Sequence, residues 1–341
     1  MTQQPTITLA ESKPPYFLGI DVGGTSMKIG LLDDSGRTLA FSEIDTQESL
    51  GPKNAMQRVS QTAHELIQTV GMTVSQVLRA GLGTPGSQDI PKGMLVEPPN
   101  HPHWHYFPIV QCLEEELGLP VSFANDANAA AFGEFWIGTG EIHRSMILLT
   151  LGTGVGGGII IDGHLVVGAN SFGGEFGHML IDPHPNARLC AWGGGRGQLE
   201  AYASASGLVL RAQESLRAGA QSSLANEIDQ ITAKRIFQAA ELGDDWSLKI
   251  IEETADYLAI GITSLVHILD PGLVVLGGAM NFGGPNCATG KRFLHKVRQG
   301  FEVRTFQHVK AGTIIEFAKL GADAGYIGAA GIARSDYDKT L

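Results

Sequence analysis

The sequence contains no sustained lysine or arginine run, and its formal net charge is −11. Proteins that grip nucleic-acid backbones concentrate positive charge, so that class is disfavoured and no nucleic-acid partner is expected. No apolar stretch exceeds strand length, so no membrane-crossing helix and no membrane partner are expected. Cysteine is sparse. Cys112, Cys190 and Cys287 are scattered, which argues against a disulfide scaffold and fits a reducing cytoplasm. Residues 1–15 lack the basic and apolar regions of a signal peptide and read as a loose tail.

Glycine is what the chain has in excess, with 45 in 341 residues, clustered in turns between apolar runs. The densest turn organises the rest. Segment 146–162, MILLTLGTGVGGGIIID, runs from aliphatic residues through glycines into aliphatic residues again, as strand, turn, strand. Residues 151–158 have almost no side chain, so their backbone N–H groups can approach an anion. Gly152, Gly154 and Gly157 satisfy G-x-G-x-x-G, but a dinucleotide fingerprint needs a helix next, and 159–161 is a poor helix start. The expected feature is a phosphate-binding hairpin and not a Rossmann turn.

The same design occurs earlier, at 17–36, FLGIDVGGTSMKIGLLDDSG. Laid side by side, Asp21 falls against Thr150, Gly23 against Gly152 and Asp33 against Asp162. Such self-similarity points to an internal duplication. Two halves, each with a phosphate-type hairpin, suggest one phosphate chain held between two lobes.

Helical spacing marks 52–70, 107–117, 126–133, 201–217, 246–269 and 321–333 as helices. Strands are expected at 77–82, 120–125, 165–172 (running into a loop) and 273–276. Alternating strands and helices in both halves give an α/β class. The expected division is an N-terminal lobe at 16–124 and a C-terminal lobe at 125–320, with the last helix, about 321–336, crossing back onto the first.

Asn125-Asp126 ends a strand where a small-residue helix begins. Asp126 there could accept a hydroxyl proton, or it could simply cap the helix. Glu175 and His178, in Gly174-Glu175-Phe176-Gly177-His178, and Glu200 could bind vicinal sugar hydroxyls, or be solvated turn residues. Gly86 and Asn100 add polar groups on loops. His101, His103 and His105 alternate and could share a metal, but a simply polar loop is the better expectation.

These residues in this order resemble the ROK family of sugar kinases and repressors: Asp21-Val22-Gly23-Gly24-Thr25 with Lys28, Asn125-Asp126, 151–158, Glu175-x-Gly177-His178 and Leu199-Glu200. The resemblance runs from about Phe17 to Ala333, and its nearest subgroup is the bacterial glucokinases. It implies a two-lobed actin-like, hexokinase-like fold of duplicated ribonuclease-H-type domains, and an ATP-dependent hexose kinase. Asp126 would be the general base. Asn125, Glu175, His178 and Glu200 would hold the remaining hydroxyls, with Asn100 and Gly86 nearby. Gly23, Gly24, Thr25, Gly152, Thr153 and Gly154 would hold the ATP phosphates, with Lys28 among the nucleotide-binding set. Asp21 would orient Mg2+ through water, and Gly277 and Gly278 would border the adenosine. The family also implies a homodimer. Its repressors add an N-terminal helix-turn-helix, for which a hairpin starting near Phe17 leaves no room.

One departure stands out. Many members place a zinc loop, C-x-C-G-x-x-G-C, after the E-x-G-H histidine. Here His178 and Cys190 remain, but the middle cysteine is gone and Gln198 replaces the last. Structural zinc wants four ligands, and His184 is awkwardly spaced to help, so no zinc site is expected. Trp192 is expected to hold the loop by packing instead.

Overall fold

A computed structural model describes residues 5–98 and 101–340. The chain opens with a three-stranded meander, β1 (Tyr16–Val22), β2 (Ser26–Asp33) and β3 (Thr38–Asp45). Then come α1 (Pro52–Thr69), β4 (Val77–Thr84), the two-residue strands β5 (Gln88–Asp89) and β6 (Met94–Leu95), α2 (Ile109–Leu117), β7 (Val121–Asn125) and α3 (Asp126–Trp136). The pattern repeats with β8 (Met146–Leu151), β9 (Val155–Ile161) and β10 (His164–Leu165). Helices α4 (Glu200–Ala203), α5 (Ala205–Arg217), α6 (Ala233–Glu241) and α7 (Asp245–Leu269) follow, then β11 (Leu273–Gly277), α8 (Ala288–Glu302), α9 (Gln307–Gly312), β12 (Ile314–Phe317) and α10 (Ala324–Asp338).

The sheets repeat one connectivity. The first is ordered β3-β2-β1-β4-β7, the second β10-β9-β8-β11-β12. In the first, β1 pairs antiparallel with β2 and parallel with β4, which pairs parallel with β7. In the second, β11 pairs parallel with both β8 and β12. Parallel neighbours require crossover connections, and α1 and α2 in the first case, α4 to α7 and α8 in the second, supply them.

The chain divides into two compact units, 1–142 with 158–174 and 319–341, and 143–157 with 175–318. In the first, α10 packs along β1 and β4 and against α3. Glycine permits this. A Cβ on Gly19 of β1 would strike the Tyr326 carbonyl, and one on Gly81 of β4 would strike that of Ala329. Gly328 meets the Ala129 carbonyl in the same way across the α10–α3 contact. Tyr326 is fully buried, its hydroxyl 3.1 Å from Thr38 Oγ1. Burial pushes its pKa up to about 12.

Two of the expected elements take a different form, and α6, α8, α9 and β12 have no counterpart among those expected. The single helix expected over 201–217 breaks at Ser204, whose backbone is extended (ψ 168) and whose hydroxyl accepts from the Gly207 N–H at 2.9 Å. That cap starts a new helix and fixes where α5 points. The strand expected from 165 stops at Leu165, because Gly168 (φ +80), Ser171 (φ +64) and Gly174 (φ +95) are left-handed. Among the described residues no helix is long and apolar enough to cross a membrane.

Gly328→Ala tests the α10–α3 approach, because its new methyl meets backbone that cannot rotate away. Overpacking there is expected to cost ~3 kcal/mol or more in urea unfolding, with loss below ~1 kcal/mol contradicting the packing described.

Candidate functional site

In the first unit, β1 and β2 are joined by a turn at Gly23, Gly24 and Thr25. The Gly23 N–H donates to the Ser26 carbonyl at 2.9 Å, and Thr46 Oγ1 donates to the Gly23 carbonyl at 2.7 Å. Gly24 and Thr25 are exposed, and a Cβ on Gly24 would meet nothing within 4 Å. The turn is therefore rigid yet open on one side.

Asp21 lies at the end of β1, its carboxylate against Gly325 in the first turn of α10. Burial raises its pKa to about 6, and Lys28, across the ladder on β2, acts in the opposite direction. The Lys28 ammonium donates to the Ala322 carbonyl at 2.6 Å, so it steadies the entry to α10 as well as facing Asp21. A half-buried carboxylate left short of compensating charge is a hard oxygen donor suited to magnesium, which commonly keeps its waters.

At the far side of the same sheet, β7 runs directly into α3. The cap role falls to Asn125, whose Oδ1 accepts from the Ala127 N–H at 2.9 Å. Asp126 is thereby the first helical residue, with its Oδ1 also accepting from Ala127 at 2.8 Å. Gly86 follows β4 in a turn with φ +85, where Gln88 Nε2 ties the preceding Thr84 through its carbonyl and hydroxyl, both at 2.6 Å. Asn100 lies outside the described residues.

The neighbouring histidines do not act as one group. His101 is buried (1% exposed) with its ring 4.7 Å from that of Trp104, whereas His103 pairs with Glu48 at 2.8 Å. The polar loop expected there thus contains a core residue. Burial lowers the His101 pKa.

In the second unit the glycine turn between β8 and β9 is stitched to α5. The Ala205 N–H donates to the Gly152 carbonyl at 2.9 Å, and Ser206 Oγ donates to the Thr153 carbonyl at 2.9 Å. A Cβ on Gly152 would meet nothing within 4 Å. On the other side of the turn, Glu200 is wedged between two glycines. Its Oε2 accepts from the Val155 N–H at 2.9 Å, and a Cβ on either Gly154 or Gly177 would press on the carboxylate. Gly177 belongs to the segment that carries Glu175 and His178, so this carboxylate braces both the glycine turn and that loop.

Glu175 and His178 approach each other at 3.7 Å, each a little over two-fifths exposed. Surrounding protein atoms still raise the Glu175 pKa, with Glu200 adding to the effect and His178 opposing it. The His178 ring also lies 5.2 Å from that of Trp192. Cys190 is buried, and burial pushes its thiol pKa up. Among the described residues no group of three or more His, Cys, Asp or Glu is arranged to hold a metal.

Gly277 and Gly278 end β11 against the end of β8. Gly278 has φ +89 and no room for a Cβ beside the Leu151 backbone, and just beyond it the Met280 N–H donates to the Leu151 carbonyl at 2.9 Å. Beside this junction opens a cavity of about 520 Å³, whose lining includes Gly152, Thr153, Lys234, Phe237, Asn281 and Phe282. A volume of that order suits a ligand of nucleoside size. No element is among those expected at 233–241, although Thr232, whose hydroxyl accepts from the Arg235 N–H at 3.2 Å, is a recognisable start signal for α6.

Comparison with known proteins agrees with this architecture. A family model described as ROK family matches residues 17–336. A glucokinase from Halalkalibacterium halodurans is 35% identical over 316 residues, 92% of this chain and 93% of that protein. The crystal structure of a ROK hexokinase from Thermus thermophilus superposes with a TM-score of 0.80 at 30% identity, covering 95% of this chain and 99% of that one. A ROK family glucokinase from Streptomyces griseus, solved with glucose and AMPPNP, gives a TM-score of 0.72 at 31% identity over 94% and 99% of the chains.

The open faces of Gly24 and Gly152 yield a clean test, since neither has positive φ nor a neighbour to strike. Alanine at each is expected to change stability by less than ~1 kcal/mol. Each is expected to raise the KM for a phosphate-bearing ligand at least about tenfold, because the methyl occupies the space an anion needs. Unchanged kinetics in both variants would remove the anion-binding role of the turns.

Proposed function

Because the chain belongs to the ROK family and is related along its length to sugar kinases, we propose that it is an ATP-dependent hexose kinase phosphorylating the 6-hydroxyl of glucose. The observation that carries this reading is the open glycine turn at Gly152, set beside a nucleoside-sized cavity with aromatic lining. A turn that offers backbone N–H groups next to such a cavity suits a nucleotide with its phosphate chain.

The reaction needs little covalent help from the protein. The sugar O6 attacks the γ-phosphorus, an O6–P bond forms, the bond to the β,γ-bridging oxygen breaks, and ADP departs. Asp126 takes the O6 proton, and Asn125, Glu175, His178 and Glu200 hold the other hydroxyls, with Gly86 and Asn100 assisting. For Asn125 this leaves the side-chain NH2 group, since its oxygen caps α3. For Glu200 it leaves Oε1, since Oε2 serves Val155. The two glycine turns contribute backbone donors for the phosphates, and positioning of this kind accounts for most of phosphoryl-transfer catalysis. Magnesium, when bound with the nucleotide, would neutralise phosphate charge, and Asp21 is the residue suited to orient it. Gly277 and Gly278 would border the adenosine.

Glucose is proposed over other hexoses from the glucokinase relatives, and one substituent in a sugar pocket changes selectivity by only ~1–3 kcal/mol. An N-acetylhexosamine is the competing substrate. A cytoplasmic homodimer is part of the same proposal.

The decisive variant is Asp126→Ala, assayed as ADP release from MgATP across a hexose and N-acetylhexosamine panel. Glucose-dependent turnover is expected to fall about a hundredfold or more while thermal stability holds. Near-normal turnover in the folded variant would exclude Asp126 as the base. Turnover of an N-acetylhexosamine in place of glucose would correct the substrate.

A further inference from the structure

We infer that Lys234 is the cation that anchors the donor's phosphates and so sets the direction in which the nucleotide lies; this rests on the kinase reading. Among the described residues that line the 520 Å³ cavity, Lys234 alone carries a formal charge. It stands in the first turn of α6, with Phe237 and Gln238 three and four positions later and therefore on the same helix face.

The cavity is polarised along that face. A second hollow of about 420 Å³ shares Thr153, Ala205 and Ala233 with it and adds Ser206 and Thr232, so the start of α6 lies beside the glycine turn. The other end is aromatic. Phe237 Cζ would sit 3.2 Å from a Cβ on Gly283, in the loop that follows β11. From Thr153 to Phe237 the lining thus passes from backbone, hydroxyl and ammonium to ring. A purine favours the aromatic end and phosphates the cationic one, so a nucleotide has one favourable direction.

The charge is available for this use. Arg235 is paired with Glu227, whereas Lys234 has no ion-pair partner among the described residues. The Lys28 ammonium is held by the Ala322 carbonyl, and neither glycine turn contains a cation. A molecule with net charge −11 repels a polyanionic donor at long range, so a local cation at the phosphate end has a large share of the attraction to supply.

Lys234 is exposed, so Lys234→Ala should fold normally. The test is calorimetric binding of ADP and of adenosine to wild type, Lys234→Ala and Lys234→Arg, with steady-state kinetics alongside. ADP binding is expected to weaken about tenfold in Lys234→Ala, with adenosine within about twofold and most of the loss restored by arginine. The KM for ATP should rise with kcat nearly unchanged, and the salt dependence of ADP binding should flatten. Equal weakening of ADP and adenosine would make Lys234 a wall of the base site and overturn the inference, as would no change in either. Wild type that binds adenosine as tightly as ADP would sink the inference but leave a nucleoside site. Wild type that binds neither would sink the kinase reading with it.

Discussion

The side chain of Glu200 is the group on which the second unit's glycine turn and the loop at Gly177 both rest. Its Oε2 holds the Val155 N–H and so fixes the exit of the glycine turn, while the same carboxylate fills the space left by Gly154 and Gly177. Gly154 is required by that group, since a methyl there would displace it, whereas a Cβ on Gly177 would first strike the Val155 carbonyl and only crowd the carboxylate. The turn proposed to hold phosphate and the loop proposed to hold sugar therefore share one brace. The arrangement has an electrostatic consequence, because Glu200 adds to the burial that raises the Glu175 pKa, with His178 acting the other way.

The first unit solves a related problem with backbone contact. Gly19, Gly81 and Gly328 let α10 lie directly on β1, β4 and α3, and Gly325 in its first turn makes room for the Asp21 carboxylate. Any bulkier helix would stand off the sheet and expose Asp21 further. Close packing thus produces the desolvation that lifts its pKa to about 6. A carboxylate so placed gains from a cation, which gives physical content to a magnesium role.

Much of this was legible in the residues. The two hairpins are written as aliphatic runs interrupted by glycine, and their alignment anticipates two sheets of one connectivity. Residues 159–161 are strand-like, which excludes a Rossmann turn, and β9 does continue through Ile161. Other features depended on distant contacts. Nothing in the small-residue run around Ser204 distinguishes a continuous helix from two, because the break needs the turn at Gly152 to receive the Ala205 N–H. His101 reads as polar, yet Trp104 draws it into the core. With Asn125 and Asp126 adjacent, either could cap α3, and only the backbone geometry assigns that task to Asn125. The charged wall of the nucleoside-sized cavity was invisible because α6 meets the hairpin from about eighty residues away.

The most direct test of the account is phosphorus NMR of the wild-type protein with MgATP and glucose, following every phosphorus-bearing species. A sugar 6-phosphate resonance is expected to grow in step with ADP and to be absent without glucose. Release of inorganic phosphate at a rate indifferent to glucose, with no sugar phosphate formed, would contradict it.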